Sequence, residues 1–270
     1  MSSNVNRKAQ GRSGFSLLEL VVVLAVLSVL THLAVRELGA MREGKLVQAA
    51  DRQLDAIREA SAAFLSDVGR LPRLTAETNR AGEVAYTLSE LWKKPASLDY
   101  RKLVERDGAT VAVGWNGPYL RLPFGCDRLR DPWGNPMERE DAAGLPRLFA
   151  ASDSTVTNVC HYGPKGQLDG RRAVSLLPGA GLSCRLALAV DAGDYDGELV
   201  CRWLGPFENT VTGGTATVLS GGQVTFEGLT PGTKTIVVTK PAPAAGGAAR
   251  RIVRLVEVAP GASQIQVKIP

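Results

Sequence analysis

Residues 11–30 read GRSGFSLLELVVVLAVLSVL, and this stretch decides the fold of the N-terminal part of the chain. From residue 15 to residue 35 the sequence runs 21 residues with Glu19 as the only charge. At about 1.5 Å per residue such a run makes a helix of roughly 30 Å, the thickness of a bilayer's hydrocarbon core. Arg7, Lys8 and Arg12 precede it. By the positive-inside rule they hold the N-terminus in the cytoplasm and send the residues beyond Arg36 to the other side. A secretory signal peptide has an apolar region of only about 7–15 residues, with its small-residue cleavage site after that region. Here Ser13 and Gly14 come first and the apolar run is longer.

A simple membrane anchor accounts for everything but Glu19. An ionised carboxylate on a helix facing only lipid costs on the order of 2.5–3.5 kcal/mol, so it calls for a partner. Cleavage between Gly14 and Phe15 would create a positive α-amine at the depth of Glu19. Within one straight helix that amine lies about a turn away. Between neighbouring subunits the same pairing neutralises both charges and sets their axial stagger.

The remaining composition narrows the function classes. At 270 residues and 44% hydrophobic content the chain has ample material for a folded core. The two histidines are His32, inside the apolar run, and His161, so no two-histidine zinc site is available. The net charge of +5 falls to +2 once Arg7, Lys8 and Arg12 are set aside, and the other basic residues are scattered among acids. This excludes a nucleic-acid-binding reading. Cys126, Cys160, Cys184 and Cys201 lack CxxC spacing, and an even count behind a membrane-targeting segment suits disulfides in an oxidising compartment. No Ser-His-Asp, Cys-His or metal-ligand grouping points to an enzyme, and no cofactor is implied.

Gly14, Phe15, Ser16, Leu17, Leu18 and Glu19 resemble the processing site of type IV pilins and type II secretion pseudopilins: a short basic leader ending in Gly, then Phe, then Glu as the fifth residue after the cut. The resemblance implies cleavage after Gly14 by a membrane-bound prepilin peptidase, methylation of the Phe15 amine, and a role for Glu19 in assembly with other pilin or pseudopilin subunits on an inner-membrane platform. Family members usually carry a proline near the end of the apolar helix. Arg36 stands near that place here, so a weaker kink is expected.

Beyond Gly39 the pattern turns amphipathic. Leu46, Ala50, Leu54, Ile57, Ser61, Phe64 and Val68 recur every three or four residues, a stripe that predicts a helix packed on a core. Arg42, Lys45, Asp51, Arg52, Asp55, Arg58 and Glu59 form the solvated side, and Gly69 and Pro72 mark the end. This plan resembles the pilin spine, half in the membrane and half against a β-sheet.

Between residues 71 and 170 the resemblance narrows to the major pseudopilin of type II secretion. It rests on DVGRLP at 67–72, GWNGPYL at 114–120 and DPWGNP at 131–136. Trp115, Tyr119 and Trp133 are read as core aromatics, and the DPWGNP segment as a turn. Major pseudopilins commonly close the head with an acidic calcium-binding loop. The corresponding HYGPKGQLDGRR, 161–172, offers Asp169 alone, with Lys165, Arg171 and Arg172 in place of acids, so no calcium site is expected. A Cys126–Cys160 disulfide is the expected staple of this region.

From about residue 183, β-branched runs at 185–190, 198–204, 223–226, 233–239, 252–258 and 264–269 alternate with Gly-rich turns and predict a small β-sandwich. Cys184 and Cys201 flank the turn at 191–197 and are positioned by sequence to cross-link a hairpin. Residues 241–249 read as a flexible loop inside this domain. VTFEGLTPGTKTIVV, 224–238, resembles the F-x-x-L-x-P-G turn of carboxypeptidase-regulatory-like, prealbumin-type sandwiches. The common pseudopilin would end near 174–177, so the sandwich reads as an addition, either a cap or a recognition module.

The expected fold is α+β, with a leader at 1–14, a membrane and assembly helix at 15–38, a pilin-like head at 39–178 and a β-sandwich at 183–270. The expected function is that of a structural subunit of a type II secretion pseudopilus or type IV pilus. The alternative is a minor pilin or tip adhesin whose β-domain binds a surface, a carbohydrate or a secreted protein. The expected location is the bacterial inner membrane, with a single pass, a cytoplasmic N-terminus and periplasmic domains.

Overall fold

The computed structural model describes residues 16–78, 84–126, 128–134, 149–150, 156–162, 168–176, 184–193, 195–242, 248–259 and 261–269. The fold is α+β: one long N-terminal helix, then antiparallel hairpins and a second, β-rich region. The chain divides into two compact units, Met1–Gln48 and Ala49–Pro270.

Helix α1 spans Leu17–Val68, and its assignment runs unbroken through Arg36. Its second half matches the predicted stripe: Ala50, Leu54, Ile57, Ser61, Phe64 and Val68 are buried, whereas Asp51, Arg52, Asp55, Arg58 and Glu59 are exposed. Ser61 donates its hydroxyl to the Ile57 carbonyl at 2.8 Å, so this polar stripe position enters the core already satisfied. Gly69 ends the helix with φ +81°, donating to the Leu65 carbonyl at 2.8 Å, the left-handed C-terminal geometry that glycine adopts without strain.

The head adds hairpin β1 (Thr75–Thr78) and β2 (Val84–Thr87), a 3₁₀ turn at Ser89–Leu91, hairpin β3 (Lys102–Arg106) and β4 (Ala109–Val113), and a three-stranded sheet of β5 (Phe149–Ala150), β6 (Val156–Tyr162) and β7 (Leu168–Ser175). Asp107 and Gly108, both at positive φ, join β3 to β4, the Asp-Gly chemistry that two-residue hairpin turns favour. Helix α1, the 3₁₀ turn and the aromatic segment share one core through Ile57, Phe64, Leu65, Leu91, Leu98 and Trp115. Each such fully buried side chain contributes roughly 1.5–3 kcal/mol.

The sandwich consists of β8 (Cys184–Asp191), β9 (Glu198–Phe207), β10 (Thr210–Leu219), β11 (Gln223–Leu229), β12 (Gly232–Lys240), β13 (Arg250–Val258) and β14 (Ala262–Lys268). One sheet has the order β10-β9-β12-β13 and the other β11-β8-β14, with β14 parallel to β8. Residues 241–249 join β12 to β13 within one sheet.

Two features depart from the sequence reading. Strands β8 and β9 do not form a hairpin: they lie in facing sheets and point Leu186, Leu188, Leu199 and Cys201 into one core. Strand β10, TVTGGTATVL, has no counterpart among the predicted runs, because Gly213 and Gly214 read as a turn. Both glycines lie under Trp203 on β9. A Cβ on Gly213 would come within 2.3 Å of the Trp203 carbonyl oxygen, and one on Gly214 within 2.5 Å of its indole nitrogen. Glycine in a strand interior here permits a close backbone approach.

Head and sandwich share a third core. Ala109, Val111 and Val113 of β4 pack on Leu204, Val211 and Val237 of β9, β10 and β12, covering the outer face of the larger sheet. Strand β12 is consequently buried on both faces from Lys234 to Val238, as its continuous TIVV run befits.

Candidate assembly site

The N-terminal turn of α1 is built by Ser16 and Glu19. Ser16 precedes the first helical residue, and its Oγ accepts the Glu19 backbone N–H at 3.2 Å; its carbonyl accepts Leu20 N–H at the same distance. Ser-x-x-Glu at a helix start is the capping-box pattern. The pattern is legible in the sequence, and it adds Ser16 to the residues that shape this site. Ser28 and Thr31 return their hydroxyls to the Ala25 and Leu27 carbonyls at 2.8 and 2.7 Å. Their polarity is thereby satisfied inside the helix, as an apolar medium demands.

Around this framework the apolar side chains face outward on every side. Leu17 is 81% exposed and Leu30 55%, and no described residue of the run is buried. A helix that is hydrophobic all round and uncovered by its own chain belongs in a membrane or against other helices. Glu19, also exposed, sits in the first turn, where the helix dipole favours an anion and disfavours a cation. A free amine just ahead of Ser16 would therefore gain from a carboxylate. Gly14 and Phe15, the expected cleavage and methylation residues, lie outside the described residues.

The exit of α1 is held by a buried ion network that sequence reasoning did not single out. Arg70 forks onto Glu90 at 2.8 and 3.0 Å and donates Nε to Glu208 at 2.9 Å. Glu90 Oε2 also accepts Arg73 N–H at 2.8 Å. Burial alone would lower the Arg70 pKa, but the hydrogen bonds and charges of Glu90 and Glu208 outweigh it and raise it. Glu208 belongs to the β9–β10 turn, and its N–H caps the Val68 carbonyl at 2.6 Å. Gly69 lies directly beneath Pro206, where a Cβ would come within 2.0 Å of the carbonyl oxygen. Helix exit, head turn and sandwich are thus tied at one point.

Two of the three predicted aromatics, Trp115 and Tyr119, take their places around this point, whereas Trp133 is half-buried and belongs to none of the described cores. Trp115 is buried and donates Nε1 to the Glu90 carbonyl at 2.9 Å. Half-buried Tyr119 packs edge-on against Phe64 and donates to Asp67 at 3.2 Å, its pKa raised chiefly by burial. The DPWGNP turn closes through Asp131, which accepts Trp133 N–H at 3.0 Å and Gly134 N–H at 2.9 Å. Asn135 and Pro136 lie outside the described residues.

The cysteine expectation is corrected in part. Cys184 and Cys201 are free thiols buried in the sandwich core, on facing sheets rather than across a hairpin. Burial raises both pKa values, that of Cys201 to about 11, which makes them poor nucleophiles. Cys126 is an exposed free thiol. The side chains of Cys160 and of residues 161–172 lie outside the described residues. Among the described residues no three His, Cys, Asp or Glu side chains are grouped to hold a metal.

Residues 10–35 match the model of the prokaryotic N-terminal methylation motif. The matched stretch contains Gly14, Phe15, Glu19 and the apolar run, and it supports a type IV pilin-like protein with an apolar membrane-compatible helix. No curated protein matches the chain.

Proposed function

We propose that the chain is a structural subunit of a type II secretion pseudopilus or a type IV pilus, cut after Gly14 by prepilin peptidase, methylated at Phe15 and assembled through its N-terminal helix on an inner-membrane platform. The observation that carries this reading is a single exposed carboxylate, Glu19, at the head of an otherwise apolar and uncovered run at the start of α1, inside the methylation motif. A carboxylate there is tolerated in lipid when the amine of an adjoining subunit neutralises it. The motifs at 67–72, 114–120 and 131–136 favour the secretion pseudopilin within this class. Before assembly the subunit spans the inner membrane once, with residues from about 39 onward in the periplasm.

Mass analysis of the N-terminus of protein recovered from membranes tests the reading. It should give a chain beginning at methylated Phe15. An uncut Met1, or a start after Gly39, refutes it. Gly14→Ala should block processing, whereas Glu19→Ala should leave cleavage intact and prevent incorporation. Normal assembly of the Glu19 variant would remove the charge-pairing argument.

A second reading, a minor subunit placed at a filament tip, is favoured by the seven-stranded sandwich, whose bulk must fit on any filament surface. Its β-domain would then recognise a surface, a carbohydrate or a secreted protein. Counting copies per filament separates the two.

A further inference from the structure

We propose that the seam between the tip of hairpin β3–β4 and the larger sheet of the sandwich binds an acidic polysaccharide, gripped by the guanidinium groups of Arg106, Arg202 and Arg251. The proposal rests on the second reading above, in which the β-domain recognises a ligand, and it names the class of that ligand.

Three arginines far apart in sequence converge on one turn. Asp107, at the hairpin tip, accepts Arg202 Nη1 at 2.7 Å, and Arg106 Nε stands 3.9 Å from its other carboxylate oxygen. Arg106 is fixed further by donating to the Val211 carbonyl. Arg251, on edge strand β13, lays Nη1 against Gly108, in the space that a Cβ there would fill. One carboxylate thus faces three cations, so the turn keeps a surplus of positive charge. The other carboxylates of these strands do not remove it. Glu105 alternates to the face of β3 opposite Arg106. Glu198 lies four residues from Arg202 along β9 and Glu257 six from Arg251 along β13, roughly 13 and 20 Å at about 3.3 Å per residue.

Charge on an edge strand also deters pairing with other strands, and Arg251 and Arg254 serve that purpose on β13. It does not account for Arg202, which stands on the interior strand β9, half-buried, with its Nε buried and without a hydrogen-bond partner. A guanidinium carries five donors in a planar fork that matches a carboxylate. Arg202 spends one of them on Asp107.

Arg251 and Arg254 are exposed, have no ion-pair partner among the described residues, and lie roughly 10 Å apart along the free side of β13. A ligand that reaches both from the Asp107 turn is a slender chain with negative charge repeated along its length. Nucleic acid lacks its second hold, because β3, β4, β12 and β13 contain no aromatic side chain on which a base could stack. A flat bilayer meets the exposed tip but not the half-buried Arg202. The carboxylates of an acidic polysaccharide need neither a stacking platform nor a flat surface.

Binding of the full chain, in non-ionic detergent, to immobilised polygalacturonate tests the site. The expected result is binding that weakens between about 50 and about 200 mM salt as screening grows, with none to neutral dextran. Arg251→Gln removes an exposed side chain with no ion-pair partner and should weaken affinity about tenfold, the loss of one charge-assisted contact. Lys268→Gln, exposed on β14 in the other sheet, should leave it unchanged. No binding at low salt, equal binding of dextran, indifference to Arg251→Gln or an equal loss with Lys268→Gln overturns the site. Tighter binding to a single-stranded oligonucleotide, or to phosphatidylglycerol vesicles, overturns the choice of ligand. Copy number is read separately: a chain present throughout the filament refutes the tip reading, whatever the binding shows.

Discussion

Lys234 is 1% exposed and points between the two sheets of the sandwich, on the same face of β12 as Ile236 and Val238. Its Nζ donates to Thr230 Oγ1 at 3.2 Å, and its stem lies over Gly205, where a Cβ would come within 2.7 Å of Cδ. Burial lowers its pKa from the usual 10.5 to about 8, against the opposing influence of Cys184 and Glu257. At about 1.4 kcal/mol per tenfold change in proton affinity, that shift is about 3 kcal/mol of stability lost when the ammonium is carried into the fold. The folded state binds fewer protons than the unfolded chain between pH 8 and 10.5. Stability therefore rises with pH across that window, and the full cost is present below pH 8. Lys234→Met keeps the stem and removes the charge, so it should stabilise the protein by about 3 kcal/mol at about pH 7, and by less and less as pH rises. Denaturant unfolding of the detergent-solubilised full chain, run on both proteins at about pH 7 and about pH 9.5, measures this. Subtracting the two proteins cancels Cys201 and Tyr119, whose raised pKa values act on both, whereas the Cys184 thiol feels the Lys234 charge and its pKa rises further in the variant. A variant that is less stable at neutral pH, or a difference that does not narrow with pH, refutes the reasoning.

The same geometry sets three further outcomes. Arg70→Met should cost about 3–5 kcal/mol by leaving Glu90 buried and unpaired, and Arg70→Met with Glu90→Gln should recover much of that loss, both read by thermal unfolding. Gly69→Ala should cost about 2 kcal/mol or more, from strain at φ +81° and the collision with the Pro206 carbonyl, measured in the same way. Cys126 should react rapidly with a thiol reagent in the folded protein, while Cys184 and Cys201 react only on unfolding; mass spectrometry of the labelled chain counts them.

The long helix was legible in the sequence because its signals are local. An apolar run of bilayer length, a Ser-x-x-Glu start, a stripe from Ala50 to Val68 and a terminal Gly69 each depend on neighbours a few residues away. Most sandwich strands were legible for the same reason, since alternation and turn glycines act within one segment. Which strands share a sheet is a different kind of fact. The stretch at 191–197 reads as a hairpin turn, and only the pairing of β8 with β11 and β14 shows that the chain crosses between layers there. Gly213 and Gly214 read as a turn in sequence, and only the position of Trp203 over them explains why they belong to a strand.

The sequence by itself determined the membrane-length helix, its lone carboxylate, the amphipathic spine and the β character of the C-terminal part. The tertiary structure alone decided that β3–β4 covers the sandwich, that Arg70 and Lys234 are buried, and that Cys184 and Cys201 sit on facing sheets as thiols. Periodicity and capping are short-range properties of the chain. Burial of a charge, or of a strand's second face, depends on which distant residues arrive to exclude the water.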